Sequence, residues 1–309
     1  MRARSLLTGA SGYVGAQLAQ SMAAHFDLYS AFFSSPARVT AGTPLALDLR
    51  DEAAVRHTLA ALQPEVIIHT AASNRDEQNL TAIVPAARAL ADYAGKAGAR
   101  LIHVSSDMVF GGLRPPYADD SACDPIVPYG SLKAEAEQWV RALCLQAVIV
   151  RPSLVYGLYP IDPQTMWLVE GLRHRQTVRL FTDEIRCPIW VDDLCAALFE
   201  LAAFPRLEEP ETMNLGGPQP LSRWEFGIRL LAALGISPGP TLARSTIRQS
   251  GLTRPQDLTM ISSRASRLLC TRLRPVDDVL SPDSRPAAPV AVAPIPEPSR
   301  SRRPRYCEG

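Results

Sequence analysis

Short apolar runs recur along the first half of the chain, each followed by a longer stretch whose apolar positions repeat every three or four residues. Residues 3–8, 26–33, 65–70 (EVIIHT), 100–105 (RLIHVS) and 147–151 (AVIVR) are dense in Val, Ile, Leu and Phe and predict strands. Residues 12–24, 51–62, 80–97 and 129–145 carry the helical repeat. Strands that are apolar throughout, each separated from the next by a helix, predict a parallel sheet covered on both faces. Beyond Pro152 the pattern loosens: helices are expected at 166–174, 191–204 and 224–234, with short strands at 177–181 and 212–215. From about Ser281 the chain is rich in Pro, Arg, Ser and Ala, without periodicity. It is expected to be a disordered tail, because it buries too little apolar surface to offset its ordering entropy. The expected organisation is therefore 1–160, then 161–280 with some segments returning to the sheet, then the tail at 281–309.

Composition narrows the function only slightly. The 309 residues are 47% hydrophobic and 20% charged, with a net charge of +1. That balance gives no electrostatic reason to expect nucleic acid or an anionic membrane as a partner. No apolar run approaches the roughly 18 residues of a membrane-spanning helix, and the N-terminus turns glycine-rich too early for a signal peptide. The six cysteines form no C-x-x-C pair and have no histidines at zinc spacing, so free thiols, a cytoplasmic location and no bound metal are expected.

The stretch LLTGASGYVGAQL places Gly9, Gly12 and Gly15 between the first strand and the first helix. Glycines there permit a tight turn close to a pyrophosphate, and the helix N-terminus offers free N–H groups to it. In a chain that goes on to repeat the strand–helix unit, this predicts an α/β, Rossmann-type doubly wound parallel sheet that binds a dinucleotide. The loop also supplies Ser11, Tyr13 and Val14. The second strand ends in AFFSSPAR, with Ser34, Ser35 and Arg38 but no carboxylate. Hydroxyls and a guanidinium suit the 2′-phosphate of NADP, where an NAD site places an acid; NAD is the alternative. Asp48 and Leu49 in LALDLRD are placed to reach adenine. The small residues Ala71, Ala72 and Ser73 follow the third long strand, where a bulky one would block the cofactor. His69 sits in an apolar run and reads as core.

In PYGSLKAEAEQWV, Tyr129 and Lys133 stand four apart, one turn along a helix and on the same face. Y-x-x-x-K alone usually marks a surface helix. Here it follows the glycine loop and the strand-end serines Ser105 and Ser106, in the order that brings all three to one crevice. An ammonium one turn away is expected to lower the pKa of the phenol towards a useful range.

Taken together, TGASGYVG, SSDMVFGG and YGSLK resemble the extended short-chain dehydrogenase/reductase superfamily. SSDMVFGG with PYADD, then DPIVPYGSLKAEAE, RPSLVYG, PIWVDDL and RPQDLTMISSRA, is most similar to the dTDP-4-dehydrorhamnose reductase family, over residues 3–275. The resemblance implies a catalytic set of Ser106, Tyr129 and Lys133. It also implies hydride transfer from NADPH to the C4 ketone of a nucleotide-linked deoxysugar, with the proton supplied by Tyr129. Asp107, Arg186 and Arg254 are candidate substrate contacts, the two arginines through phosphates. A homodimer is compatible with this reading.

The chain departs from that family's pattern in two places. Leu154 stands where a Trp is usual, and Gly111 where Asp is usual, which leaves the sugar open. Two rivals stand beside the reductase. One is an epimerase of the same superfamily; a dehydratase is disfavoured because Asp107 is followed by Met108 rather than a second acid. The other is a non-catalytic NADP-binding protein resembling the regulatory subunit of methionine adenosyltransferase.

Overall fold

The computed structural model describes residues 2–281 apart from 72–76, 204–206 and 208. Ala72, Ser73 and the tail at 282–309 therefore lie outside the described residues. The alternating pattern folds as expected. Strands β1 (Arg4–Thr8), β2 (Asp27–Phe32), β3 (Thr43–Ala46), β4 (Val66–His69), β5 (Arg100–Val104) and β6 (Ala147–Pro152) alternate with helices α1 (Tyr13–Ala23), α2 (Glu52–Leu62), α3 (Glu77–Ala97) and α4 (Pro128–Leu143), except that β2 runs on to β3 without a helix of that kind. The later half contributes β7 (Val155–Tyr156), α5 (Pro163–Arg173), β8 (Val178–Phe181), β9 (Ile185–Arg186), β10 (Ile189–Trp190) and α6 (Val191–Ala202). It ends with β11 (Glu211–Leu215), β12 (Leu221–Ser222), α7 (Arg223–Ala233) and β13 (Leu242–Ser245), followed by short helical turns.

The main sheet has seven strands, all parallel, in the order β11-β6-β5-β4-β1-β2-β3. The chain starts in the middle, winds outward through β2 and β3, then crosses back to β4, β5 and β6. The direction of winding reverses between β1 and β4, and in open sheets of this kind ligands lie off the carboxyl ends at that switch point. Each face is covered. Leu7, Ile68 and Ile102 pack with Leu18 and Met22 of α1 and with Leu194, Leu198 and Leu201 of α6. Leu6, Ile67 and Leu101 pack with Val55 of α2, Leu90 of α3 and Val140 of α4. Strand β3 was not anticipated. It is a four-residue edge strand containing Pro44, which only an edge tolerates.

The later half interleaves with the sheet. β11 pairs with β6, from Glu211↔Val148 to Leu215↔Pro152. The rest forms a smaller lobe in which the parallel pair β13 and β8 and helices α5 and α7 enclose Leu168, Val178, Leu180 and Leu231. Trp224 is partly buried against this cluster, as its core reading anticipated. Among the described residues no helix is long and apolar enough to cross a membrane.

Candidate functional site

A cleft of about 960 Å³ runs along the carboxyl ends of the sheet and on between the sheet and the smaller lobe. At one end is the glycine turn. Gly9 has φ +77°, and a Cβ there would lie 2.8 Å from the Ala71 backbone. A Cβ on Gly15 would lie 2.2 Å from the Gly9 carbonyl oxygen. The first and third glycines are thus required by the close approach of β1, α1 and the loop after β4. Gly12 donates its N–H to that same Gly9 oxygen at 2.9 Å. It caps α1 without a side-chain bond, and no acidic residue sits in the first turn. The helix therefore presents unspent N–H groups and its positive pole to the cleft, with Ser11, Tyr13 and Val14 on the wall. Tyr13 donates to the Pro160 carbonyl at 3.0 Å, which ties the turn to the smaller lobe.

At the far end of β2, Ser34, Ser35 and Arg38 line the cleft, joined by Asp48, Leu49 and Arg50. Asp48 is clasped by Arg50, with contacts of 2.9, 3.1 and 2.6 Å, and Arg50 also lies over the Phe33 ring. The guanidinium holds the Asp48 carboxyl below its ordinary range. Arg50 was not among the residues singled out from sequence, because an arginine two places after an aspartate looks like any solvated pair. Ala71 is on the wall as expected.

At the middle of the cleft the strand-end serines divide their tasks. Ser105 turns inward and donates to buried Glu137 at 2.6 Å. Ser106 faces the cleft, accepts from the Met108 N–H at 3.2 Å and shares a hydrogen bond with the Tyr129 phenol. Ser106, Tyr129 and Lys133 thus meet in one place. The expected effect of Lys133 on Tyr129 does not hold in this geometry. Burial pushes the phenol up to about 12, with the Ser106 hydrogen bond and the Arg186 charge acting the other way and Asp107 adding to the rise. The reason is geometric. The Lys133 ammonium is 5.9 Å from the tyrosine ring and donates to the Val104 carbonyl at 3.0 Å. Burial pushes Lys133 itself down to about 8, against the pull of Glu137 one turn along the helix. Behind it, His69 and His103 are register partners on β4 and β5, with rings 5.3 Å apart. Burial, aided by the Lys133 charge, holds both imidazoles well below their ordinary range, so they are neutral core groups, as His69 was read.

Asp107 is buried and held from two sides. Arg186 donates to it through Nε at 2.8 Å and Nη2 at 2.5 Å, and Ser153 donates at 2.7 Å. Arg186 also reaches Glu184 at 3.4 Å, and Arg254 binds the same carboxylate at 2.6 Å. Arg186, expected to meet substrate phosphate, is therefore committed to two carboxylates. Arg254 remains 38% exposed. Arg223 lines the same end of the cleft and was missed, since LSRWEF reads simply as a helix start. Among the described residues no group of three or more His, Cys, Asp or Glu could hold a metal ion.

Comparison with known proteins fits this geometry. The family model described as "RmlD substrate binding domain" matches residues 3–281. The chain is 26% identical over 239 residues to the spore coat polysaccharide biosynthesis protein SpsK of Bacillus subtilis, covering 75% of this chain and 79% of that one. It is 36% identical over 235 residues to the methionine adenosyltransferase 2 subunit beta of Pongo abelii, covering 72% and 70%. Among solved structures, a dTDP-4-dehydrorhamnose reductase from Bacillus anthracis in complex with NADP superposes with a TM-score of 0.78 at 23% identity, over 91% of this chain and 98% of that one.

Proposed function

The chain belongs to the RmlD substrate binding domain family, and from that premise we propose that it is an NADPH-dependent reductase of the 4-keto group of a nucleotide-linked deoxysugar. The observation that carries the reading is the meeting of Ser106, Tyr129 and Lys133 in the cleft that the glycine turn opens. The turn suits a dinucleotide, because the space a Cβ would fill at Gly9 and Gly15 is taken by backbone, and α1 keeps its N–H groups for phosphate. When bound, a reduced nicotinamide supplies the hydride. Lys133 would hold the cofactor ribose and keep positive charge beside the reacting oxygen. Ser106 would donate to the ketone oxygen, and Tyr129 would deliver the proton as that oxygen becomes an alkoxide. A phenol with a pKa of about 12 is protonated throughout the working range, which is the state a proton donor needs. The test is NADPH oxidation across a panel of keto-sugar nucleotides. No oxidation with any of them would remove the reading, and turnover without net NADPH consumption would turn it into an epimerase.

The pH dependence follows from Lys133. Its ammonium is charged below about 8 and neutral above, so kcat/KM should fall as pH rises through that value. Tyr129 does not titrate there, so the alkaline limb belongs to the lysine, and a flat profile up to pH 10 would count against its role.

Coenzyme choice rests on Arg38, with Arg50 beside it, at the place a 2′-phosphate would reach. A charge-assisted hydrogen bond contributes about 1.5–3 kcal/mol. Arg38→Ala should therefore raise the KM for NADPH by about 10- to 100-fold and leave that for NADH unchanged. Equal effects on both would place Arg38 outside the 2′-phosphate site.

A second reading is kept by the relatives named methionine adenosyltransferase 2 subunit beta. In it the chain binds NADP and acts on a partner protein without turnover. Partner association on a sizing column, together with no activity on any keto-sugar nucleotide, would favour it.

A further inference from the structure

Asp107 is a carboxylate beside the reacting serine that ketone reduction does not use. It follows Ser106 directly and starts the helical turn Asp107–Val109. Both residues line the cleft, although Asp107 is only 1% exposed. Its Oδ1 is 3.3 Å from the Ser106 hydroxyl. A ketone oxygen held on that hydroxyl brings its two flanking carbons to the same neighbourhood. Hydrogens on such carbons are weakly acidic. A carboxylate with a free lone pair takes one as a general base, while the C–H electron pair moves onto the ketone oxygen. Donors that stabilise an alkoxide there, Ser106 and Tyr129, also stabilise that enolate. Return of the proton to the other face of the carbon isomerises the sugar instead of reducing it.

In this chain every acceptor position of Asp107 is taken. Arg186 donates through Nη2 to Oδ1 at 2.5 Å and through Nε to Oδ2 at 2.8 Å. Ser153 donates to Oδ2 at 2.7 Å, and Ser106 completes Oδ1. An ionised carboxylate offers about four lone-pair sites, so four donors leave none for a carbon-bound hydrogen. The clamp is fixed through the backbone. Arg186 on β9 stands opposite Leu221 of β12. The next N–H, that of Cys187, donates to the Ser153 oxygen at 3.1 Å, which turns the serine proton towards Asp107. Glu184 holds the guanidinium from its other side at 3.4 Å. Against the cost of burial, Asp107 and then Glu184 keep Arg186 charged.

We propose that Arg186, with Ser153, silences Asp107 as a base and so confines the site to reduction of the ketone, without isomerisation at the carbons beside it. Arg186 is a positioning residue that acts through Asp107 and sets which reaction a bound keto-sugar undergoes. The proposal rests on the reductase reading for the ketone held at Ser106.

The test is deuterium incorporation from D2O into dTDP-4-dehydrorhamnose, at the two carbons flanking the ketone, followed by NMR. The full chain carries NADP in its oxidised form, so no hydride is available. With the parent, deuterium should enter no faster than in buffer alone. Arg186→Met, which keeps the stem and removes the donors, should raise the rate at least about tenfold, a small part of what a general base supplies. Arg186→Lys and Ser153→Ala should raise it less. Adding Asp107→Asn to Arg186→Met should return it to the parent rate. Lost packing alone lowers a melting temperature but puts no deuterium on carbon. Rapid incorporation in the parent overturns the proposal. So does the parent rate in an Arg186→Met protein that keeps its thermal transition, or incorporation that survives Asp107→Asn. If Arg186→Met does not fold, Ser153→Ala decides, and the parent rate in that variant overturns the clamp. NADPH oxidation by the parent with the same sugar is measured alongside. Normal oxidation with an unresponsive Arg186→Met removes the clamp and keeps the reductase. No oxidation, with Asp107-dependent exchange in the variant, removes the reductase and keeps the clamp, and neither oxidation nor exchange removes both.

Discussion

Tyr129→Phe should retain NADPH binding and lose ketone reduction by about 10²- to 10⁴-fold, the range for removing a positioned general acid. Phenylalanine fills the same volume on α4, so the cleft wall is kept. What goes is the hydroxyl bonded to Ser106, and with it the proton that α4 places beside that serine. Ser106 cannot substitute, because as a donor it must keep its proton to hold the oxygen. The measurement pairs NADPH fluorescence, for binding, with single-turnover oxidation, for chemistry. A variant that turns over within threefold of the parent would mean that the proton comes from elsewhere.

Glu137→Gln should have the largest effect on stability, about 3–5 kcal/mol, the cost of leaving a buried charge without its counter-ion. Glu137 is wholly buried on α4. It accepts from Arg151 at 2.9 and 2.7 Å, from Arg141 at 2.7 Å and from Ser105 at 2.6 Å. Arg151, on β6, is 2% exposed, so no water can take the place of the carboxylate. These partners hold Glu137 ionised, below its ordinary range, despite burial. Glutamine keeps the shape and removes the charge. The same change removes the one carboxylate that supports the charge of Lys133. Its ammonium should then lose its proton at lower pH, and the alkaline limb of kcat/KM should move down as the melting temperature falls. An unfolding free energy within about 1 kcal/mol of the parent would show that Arg151 is compensated by other groups.

Much of this was visible in the chain because it depends on short-range order. The glycine spacing, the apolar strands and the Tyr129–Lys133 interval are each written within one or two turns of backbone, and each forms where expected. β3 escaped because its four residues include a proline and only the partner strand gives them a direction. The acidity of Tyr129 was expected to move the other way. The interval to Lys133 is local, but the desolvation that outweighs it comes from how the whole cleft packs. The commitments of Arg186 and Arg254 escaped for the same kind of reason. They meet at Glu184 from positions 2 and 70 residues away, and no local pattern states how its charge is divided between them.

The pairing of β11 with β6 has a consequence for any attempt to divide the molecule. Met213 and Leu215 from that strand, and Leu194, Leu198 and Leu201 from α6, sit in the same cluster as Leu7 and Ile68. A fragment severed near residue 160 would keep the glycine turn and the tyrosine. It would also present β6 as a bare, apolar, hydrogen-bond-hungry border and strip the covering from one side of the sheet. The two halves are stitched through a common interior, so the nucleotide-binding half is not a detachable cassette.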